Sequence, residues 1–152
     1  MAPQPQLFFE DIAVGTRFSA KPHRLSTEDF NAFAQLTGDA HPIHYDAAFA
    51  ATTIFKRPVA HGLLLTGFMA LGATDFSERV RESMVAFAGQ QTKFLKPAFI
   101  DDVIVPEHQV AEKTDMSGKP HGKIRNTIRL MRGSDILLEG HQEYFIRKRE
   151  PG

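Results

Sequence analysis

The sequence predicts an α+β fold in which an antiparallel sheet wraps around one long central helix. Three observations point there. One segment, LLLTGFMALGATDFSER from Leu63 to Arg79, is the single long apolar helix candidate. Every segment after it reads as strand, in four successive runs with turn signals between them. Strands gathered on one side of the helix in sequence, and not alternating with helices, fit an antiparallel sheet better than a parallel α/β arrangement. At 152 residues, with no repeat or low-complexity linker, the chain fits one domain over residues 1–152.

The elements follow in order. The opening MAPQPQLFFEDIAVG lacks a basic segment followed by an apolar run, so no secretory leader is expected. Gly15 leads a strand from Thr16 to Leu25. Ser26, with Asp29 three residues on, has the spacing of a capping box and starts a short helix whose apolar stripe is Phe30, Phe33 and Ala34. Gly38 is placed to end it in the left-handed conformation. A polar loop follows, stiffened by Pro42, and Asp46 caps a second short helix to about Thr52. FKRPVAHG is irregular and delivers the chain to Gly62. The helix predicted from Gly62 to Arg79 is apolar nearly all round at its start, which calls for burial on several sides. Gly67 and Gly72 cost it about 1 kcal/mol each against alanine but permit close packing. The strand runs are MVAFAGQQTKFLKP, DDVIVPEHQVAEK, GKIRNTIRLMR and DILLEGHQEYFIRKR, with RGSD as the turn of the last hairpin. Such a sheet has two edges, and pairing an edge between two copies makes a homodimer, or a multiple of dimers, the expected assembly.

Composition removes several functions. Lys+Arg and Asp+Glu balance at 18 each, so no bulk field favours nucleic acid or an acidic membrane surface. The absence of cysteine excludes disulfides, thiolate nucleophiles, iron–sulfur clusters and thiolate zinc sites, and suits the cytoplasm. The most apolar stretch, Leu63 to Ala73, is well short of the ~20 residues that cross a bilayer.

The chemistry concentrates in TGDAHPIH, Thr37 to His44, which sets an acid and two histidines around a proline. Three readings stand side by side. It is a turn, with Asp39 bonding to its own backbone and Pro42 fixing the bend. It is a metal site, with Asp39, His41, His44 and His61 as ligands, although no established ligand spacing is present. Or Asp39 and His44 flank one water as an acid/base dyad. The second loop adds weight to the dyad. VAHG places Gly62 at a helix start, where unpaired N–H groups and the helix dipole can stabilise an oxyanion, and where a missing side chain leaves room for a substrate carbonyl. An acid, a histidine and an oxyanion donor are what proton transfer beside a carbonyl requires.

FAQLTGDAHPIHYDAAFA resembles the hydratase motif of the MaoC-like, (R)-specific enoyl-CoA hydratase family. RPVAHGLLLTG and FLKPAFIDDVI resemble the family's second and third blocks, and FFEDIAVG its usual opening. The resemblance implies a hotdog fold and reversible addition of water to a trans-2-enoyl-CoA, with no metal or redox cofactor and with coenzyme A entering as part of the thioester substrate. It implies Asp39 and His44, five positions apart, as the catalytic pair and Gly62 as the donor to the thioester oxygen. His41 stands where the family usually has Asn, and Ala70 where some members carry a serine; neither is assigned a role. Arg57, Lys93, Lys96, Arg147, Lys148 and Arg149 are candidates for the coenzyme's phosphates by residue type alone. A hotdog thioesterase and a non-catalytic acyl-CoA-binding or regulatory protein are the alternatives.

Overall fold

A computed structural model describes residues 5–149. Residues 1–4 and 150–152, which the leader and whole-chain domain expectations include, lie outside the described residues. The chain opens with two short strands, β1 (Arg17–Ser19) and β2 (His23–Arg24), then α1 (Thr27–Thr37), α2 (Ala47–Ala51), α3 (Gly62–Gly67) and α4 (Phe76–Arg79). Four long strands complete it: β3 (Met84–Phe94), β4 (Val103–Thr114), β5 (His121–Arg132) and β6 (Asp135–Arg147). All pairings are antiparallel, in the order β1-β4-β5-β6-β3, with β2 also on β4. Strand β3 is therefore an edge.

Local signals act where their residues predict. Ser26 Oγ accepts from Asp29 N–H at 3.2 Å while Asp29 Oδ2 accepts from Ser26 N–H at 2.8 Å, closing the capping box of α1. Gly38 ends that helix at φ 78°, and Asp46 caps α2. Gly133 turns the last hairpin at φ 56°. In β5, residues Gly122, Ile124, Asn126, Ile128 and Leu130 are all buried and their neighbours are not, the alternation of a sheet with one face packed. The strand expected from Thr16 to Leu25 is interrupted around Pro22, which has no N–H for a ladder, so two short strands take its place.

The continuous helix from Gly62 to Arg79 does not form. After the six residues of α3 come a 3₁₀ turn at Leu71–Ala73 and the four residues of α4, and the longest helix is instead α1, mostly exposed, at 11 residues. Ala70 and Thr74 are extended (ψ 125° and 156°), so the helical path breaks just after Gly67 and again after Gly72. The carbonyls freed there find partners: Met69 O accepts from the buried Gln142 amide at 3.1 Å, and Leu71 O from the Thr74 hydroxyl at 2.6 Å. Two glycines lower helix propensity, and side chains from elsewhere supply the missing bonds.

The broken segment still fills the hollow of the sheet. Leu65 and Met69 pack with Ile104, Ile128, Leu130 and Leu138, and a second cluster gathers Leu71, Phe76 and Val80 with Val110, Ile124 and Ile146. Each such side chain contributes roughly 1.5–3 kcal/mol of burial. The expected burial on several sides holds for Leu65 and Thr66 but not for Leu63, which is exposed. No helix among the described residues is long and apolar enough to cross a membrane.

Candidate active site

The loop after α1 is held by its own polar residues. Thr37 Oγ1 accepts from Asp39 N–H at 3.2 Å, and Asp39 Oδ1 accepts from His41 N–H at 3.3 Å, so the turn reading of Asp39 is correct as far as one carboxylate oxygen goes. His41 Nδ1 accepts from Ile43 N–H at 3.2 Å and caps a 3₁₀ turn over Pro42–His44. An asparagine Oδ1 occupies much the same position relative to its backbone as a histidine Nδ1. The histidine at position 41 therefore makes the cap that an asparagine would.

This turn presents His44 to the second loop. His44 Nδ1 lies 2.6 Å from the carbonyl oxygen of Val59. A carbonyl only accepts, so Nδ1 carries the hydrogen and Nε2 is left with a free lone pair, the form a base needs. Val59 N–H donates back to Ile43 O at 3.3 Å, tying the loops together. Behind His44, the ring of His61 stacks at 3.7 Å between centroids and 27° between planes. His61 is buried, and its Nε2 lies 3.1 Å from the Tyr45 hydroxyl, which also reaches Phe30 O at 2.7 Å. One ring nitrogen from each of His44 and His61 and one oxygen of the exposed Asp39 lie within 4.8 Å of one another. Burial, and then the neighbouring His44, hold His61 below the usual imidazole range, so it is neutral near pH 7. Burial and the Asp39 charge push the Tyr45 phenol up.

Gly62 is the first residue of α3, directly after His61. The first helical bond is from Leu65 N–H to His61 O at 3.1 Å, so the N–H groups of Gly62, Leu63 and Leu64 precede the ladder. A six-residue helix carries a much weaker dipole than the long one expected, so that end offers its local N–H groups and little more. The space a side chain would take at Gly62 is filled by Phe94, whose ring would come within 2.8 Å of a Cβ there. Phe94 packing therefore favours glycine at this position.

A cavity of about 790 Å³ opens along the same segment, lined by Leu63, Thr66 and Ala70 together with Met84, Phe87 and Tyr144. Of the six cations, Lys96 pairs with Asp135, Lys148 with Asp115 and Arg149 with Asp11. Arg147 lies over the Phe8 ring, and Lys93 lines a groove with Glu112, Arg125 and His141. The Arg57 guanidinium carbon lies over the Phe99 ring, 3.9 Å from its centroid, on the loop that carries Val59 and His61 and leads into Gly62.

The structure brings Asp39 and His44 together and sets Gly62 next to the ring that backs them. Three participants were not singled out from sequence: Tyr45, Val59 and Phe94. Tyr45 directly follows the loop histidine, which is a usable signal; the other two depend on tertiary approach.

Comparison with known proteins identifies the family. The profile described as MaoC like domain matches residues 10–130. A 3-hydroxybutyryl-CoA dehydratase of Methylorubrum extorquens is 29% identical over 144 residues, 95% of this chain and 87% of that one. An (R)-specific enoyl-CoA hydratase of Aeromonas caviae is 36% identical over 87 residues, 57% of this chain and 63% of that one. The X-ray structure of a protein described as a monoamine oxidase regulatory protein, from Archaeoglobus fulgidus, superposes with a TM-score of 0.90 at 31% identity, covering 99% of this chain and 100% of that one.

Proposed function

The chain belongs to the MaoC-like domain family, with its hotdog fold, and on that premise we propose that it is an enoyl-CoA hydratase acting reversibly on trans-2-enoyl thioesters to give the (R)-3-hydroxyacyl product. The observation that carries the reading is His44: its Nδ1 hydrogen is committed to Val59 O, which leaves Nε2 with a free lone pair, and one nitrogen of its ring lies within 4.8 Å of an Asp39 carboxylate oxygen. In the forward direction the water oxygen attacks C3 as one of its protons passes to the dyad. The C2=C3 electron pair moves toward the thioester oxygen, where Gly62 N–H stabilises the charge. The dyad proton then reaches C2 from the same face. Acid–base help of about 10²–10⁴-fold and an oxyanion donor worth about 3 kcal/mol are the contributions asked of these residues. Neither a metal nor a redox cofactor has a part in this sequence of steps, and coenzyme A takes part only as the thioester.

The relative described as regulatory raises a non-catalytic reading. Retention of both Asp39 and His44, with the histidine's tautomer set, favours catalysis. The apolar cavity beside α3 suits the acyl chain, and Arg57 is the cation best placed by its loop for a phosphate. A homodimer through β3 fits the same picture. That strand is an unpaired edge with Val85, Phe87 and Phe94 half-exposed, and Phe87 also lines the cavity, so a second copy would cover both. The cytoplasm is the compartment this chemistry and the cysteine-free sequence suit.

The test is a spectrophotometric assay on crotonyl-CoA and longer or branched enoyl-CoAs. Loss of the conjugated enoyl-thioester band without release of free thiol supports the hydratase. Free thiol identifies a thioesterase, and no change leaves a binding protein. Asp39→Asn and His44→Gln should each abolish turnover while leaving folding intact, with the double variant little worse than either single one. His41→Asn keeps the cap and most of the activity.

A further inference from the structure

On the hydratase reading above, we propose that His61 Nδ1 is a third acceptor at the water site, holding the hydrogen of the attacking water that stays on the product hydroxyl.

Hydrogen counting assigns the tautomer. The Tyr45 hydroxyl has one hydrogen, and Phe30 O, 2.7 Å away, can only accept it. Toward His61 Nε2, at 3.1 Å, the phenol oxygen is therefore the acceptor and Nε2 carries the imidazole hydrogen. That leaves Nδ1 a bare lone pair. His61 is only 2% exposed, and its Nδ1 is buried with no donor among the described residues. A buried acceptor without a donor costs about 1–3 kcal/mol, a cost that a ligand's hydrogen would remove.

The surroundings supply the ligand's place. Atoms of Asp39, His44 and His61 lie within 4.8 Å of one another. Three atoms no more than 4.8 Å apart leave a point at most about 2.8 Å from each, within hydrogen-bond reach. The attacking water has two hydrogens with different fates. One leaves to the dyad and ends on C2. The other remains on oxygen as the new C3–O bond forms and the π pair moves to the thioester. Unless the second hydrogen is held, the water turns about its bond to the dyad and its lone pair is not aimed at C3. His61 neither gains nor loses a proton in this scheme; its neutrality, kept by burial, is what makes it an acceptor.

His61→Phe keeps an aromatic ring against His44, Phe30 and Phe33 but removes both nitrogens. It should lower kcat on the order of 10²-fold, the usual effect of a misplaced reactant, with KM little changed. His61→Asn restores an acceptor at the Nδ1 position and should recover most of that loss. Tyr45→Phe removes the acceptor that fixes the tautomer. It should lower kcat in the wild-type background and have no further effect in His61→Phe. Wild-type kcat in His61→Phe, equal damage in the Phe and Asn variants, or fully additive losses would each overturn the assignment. So would stoichiometric metal with chelator-sensitive turnover, which would make the three residues ligands of an ion. Should His61→Phe not fold, Tyr45→Phe decides, and an unchanged kcat there refutes it. A wild-type protein that hydrates no enoyl thioester defeats the hydratase reading itself; one that does, with His61→Phe unimpaired, defeats only the role of His61.

Discussion

Acidification from pH 6.5 to about 4 should destabilise this protein by about 3 kcal/mol through one side chain, His108. His108 lies in β4 at 3% exposure, stacked on Phe18 at 4.9 Å, and Phe18 stacks in turn on Phe76 at 4.2 Å. Neither of its ring nitrogens has a hydrogen-bond partner among the described residues. Burial pushes its pKa from 6.5 down to about 4. In that interval the unfolded chain binds a proton that the folded one refuses, so stability falls as pH falls; above 6.5 the effect vanishes, and below about 4 it is complete. At about 1.4 kcal/mol per pH unit, the span gives the stated figure. Urea unfolding of the wild type and of His108→Phe from pH 7.5 to about 4 measures it. Phenylalanine keeps the stack and cannot be protonated, so its curve should be flatter by about 3 kcal/mol across the interval. Asp11 and Asp29, held below 3.8, lose their contributions at the acid end of the range equally in both proteins, so they cancel in the comparison. Parallel curves for the two proteins would refute the reasoning.

Three further outcomes are expected. Gly62→Ala should displace the half-exposed Phe94 ring at a stability cost under about 1.5 kcal/mol, yet cut turnover much more by crowding the N–H at the start of α3; equal losses in stability and rate would count against Gly62 as a donor. Gly140→Ala should lower stability by roughly 3 kcal/mol, the top of the overpacking range, because a Cβ there meets the carbonyl oxygen of Gln91 at 1.9 Å; thermal unfolding reads it directly. Elemental analysis of the purified protein should find no stoichiometric zinc or iron, with turnover insensitive to chelators.

What was legible in the sequence was local. Ser26 with Asp29, Gly38, Asp46 and Gly133 each act through atoms a few residues away, so their spacing was enough to place α1, α2 and the last hairpin. The four strand runs were legible for a related reason, since strand character is carried by neighbouring residues and the turn signals between them. The break after Gly67 was not. It depends on Gln142, from the last strand, reaching Met69 O, and a residue 73 positions away leaves no local trace. The site divides the same way. Asp39 and His44 share one short loop and stood out by residue type and by family resemblance, whereas the tautomer of His44 belongs to Val59, and that of His61 to a hydroxyl anchored on Phe30.

The paired bonds between the two loops also make the segment between them a separable module. Val59 N–H to Ile43 O and His44 Nδ1–H to Val59 O close the base of an excursion running from Asp46 to Pro58. Because closure entropy grows only slowly, doubling the length of such a loop costs about 0.6 kcal/mol. Insertions between α2 and Lys56, short of Arg57, should therefore be tolerated without moving the chemistry at its neck. That stretch is a natural place for relatives to diverge, and for an engineer to graft new contacts at the mouth of the site.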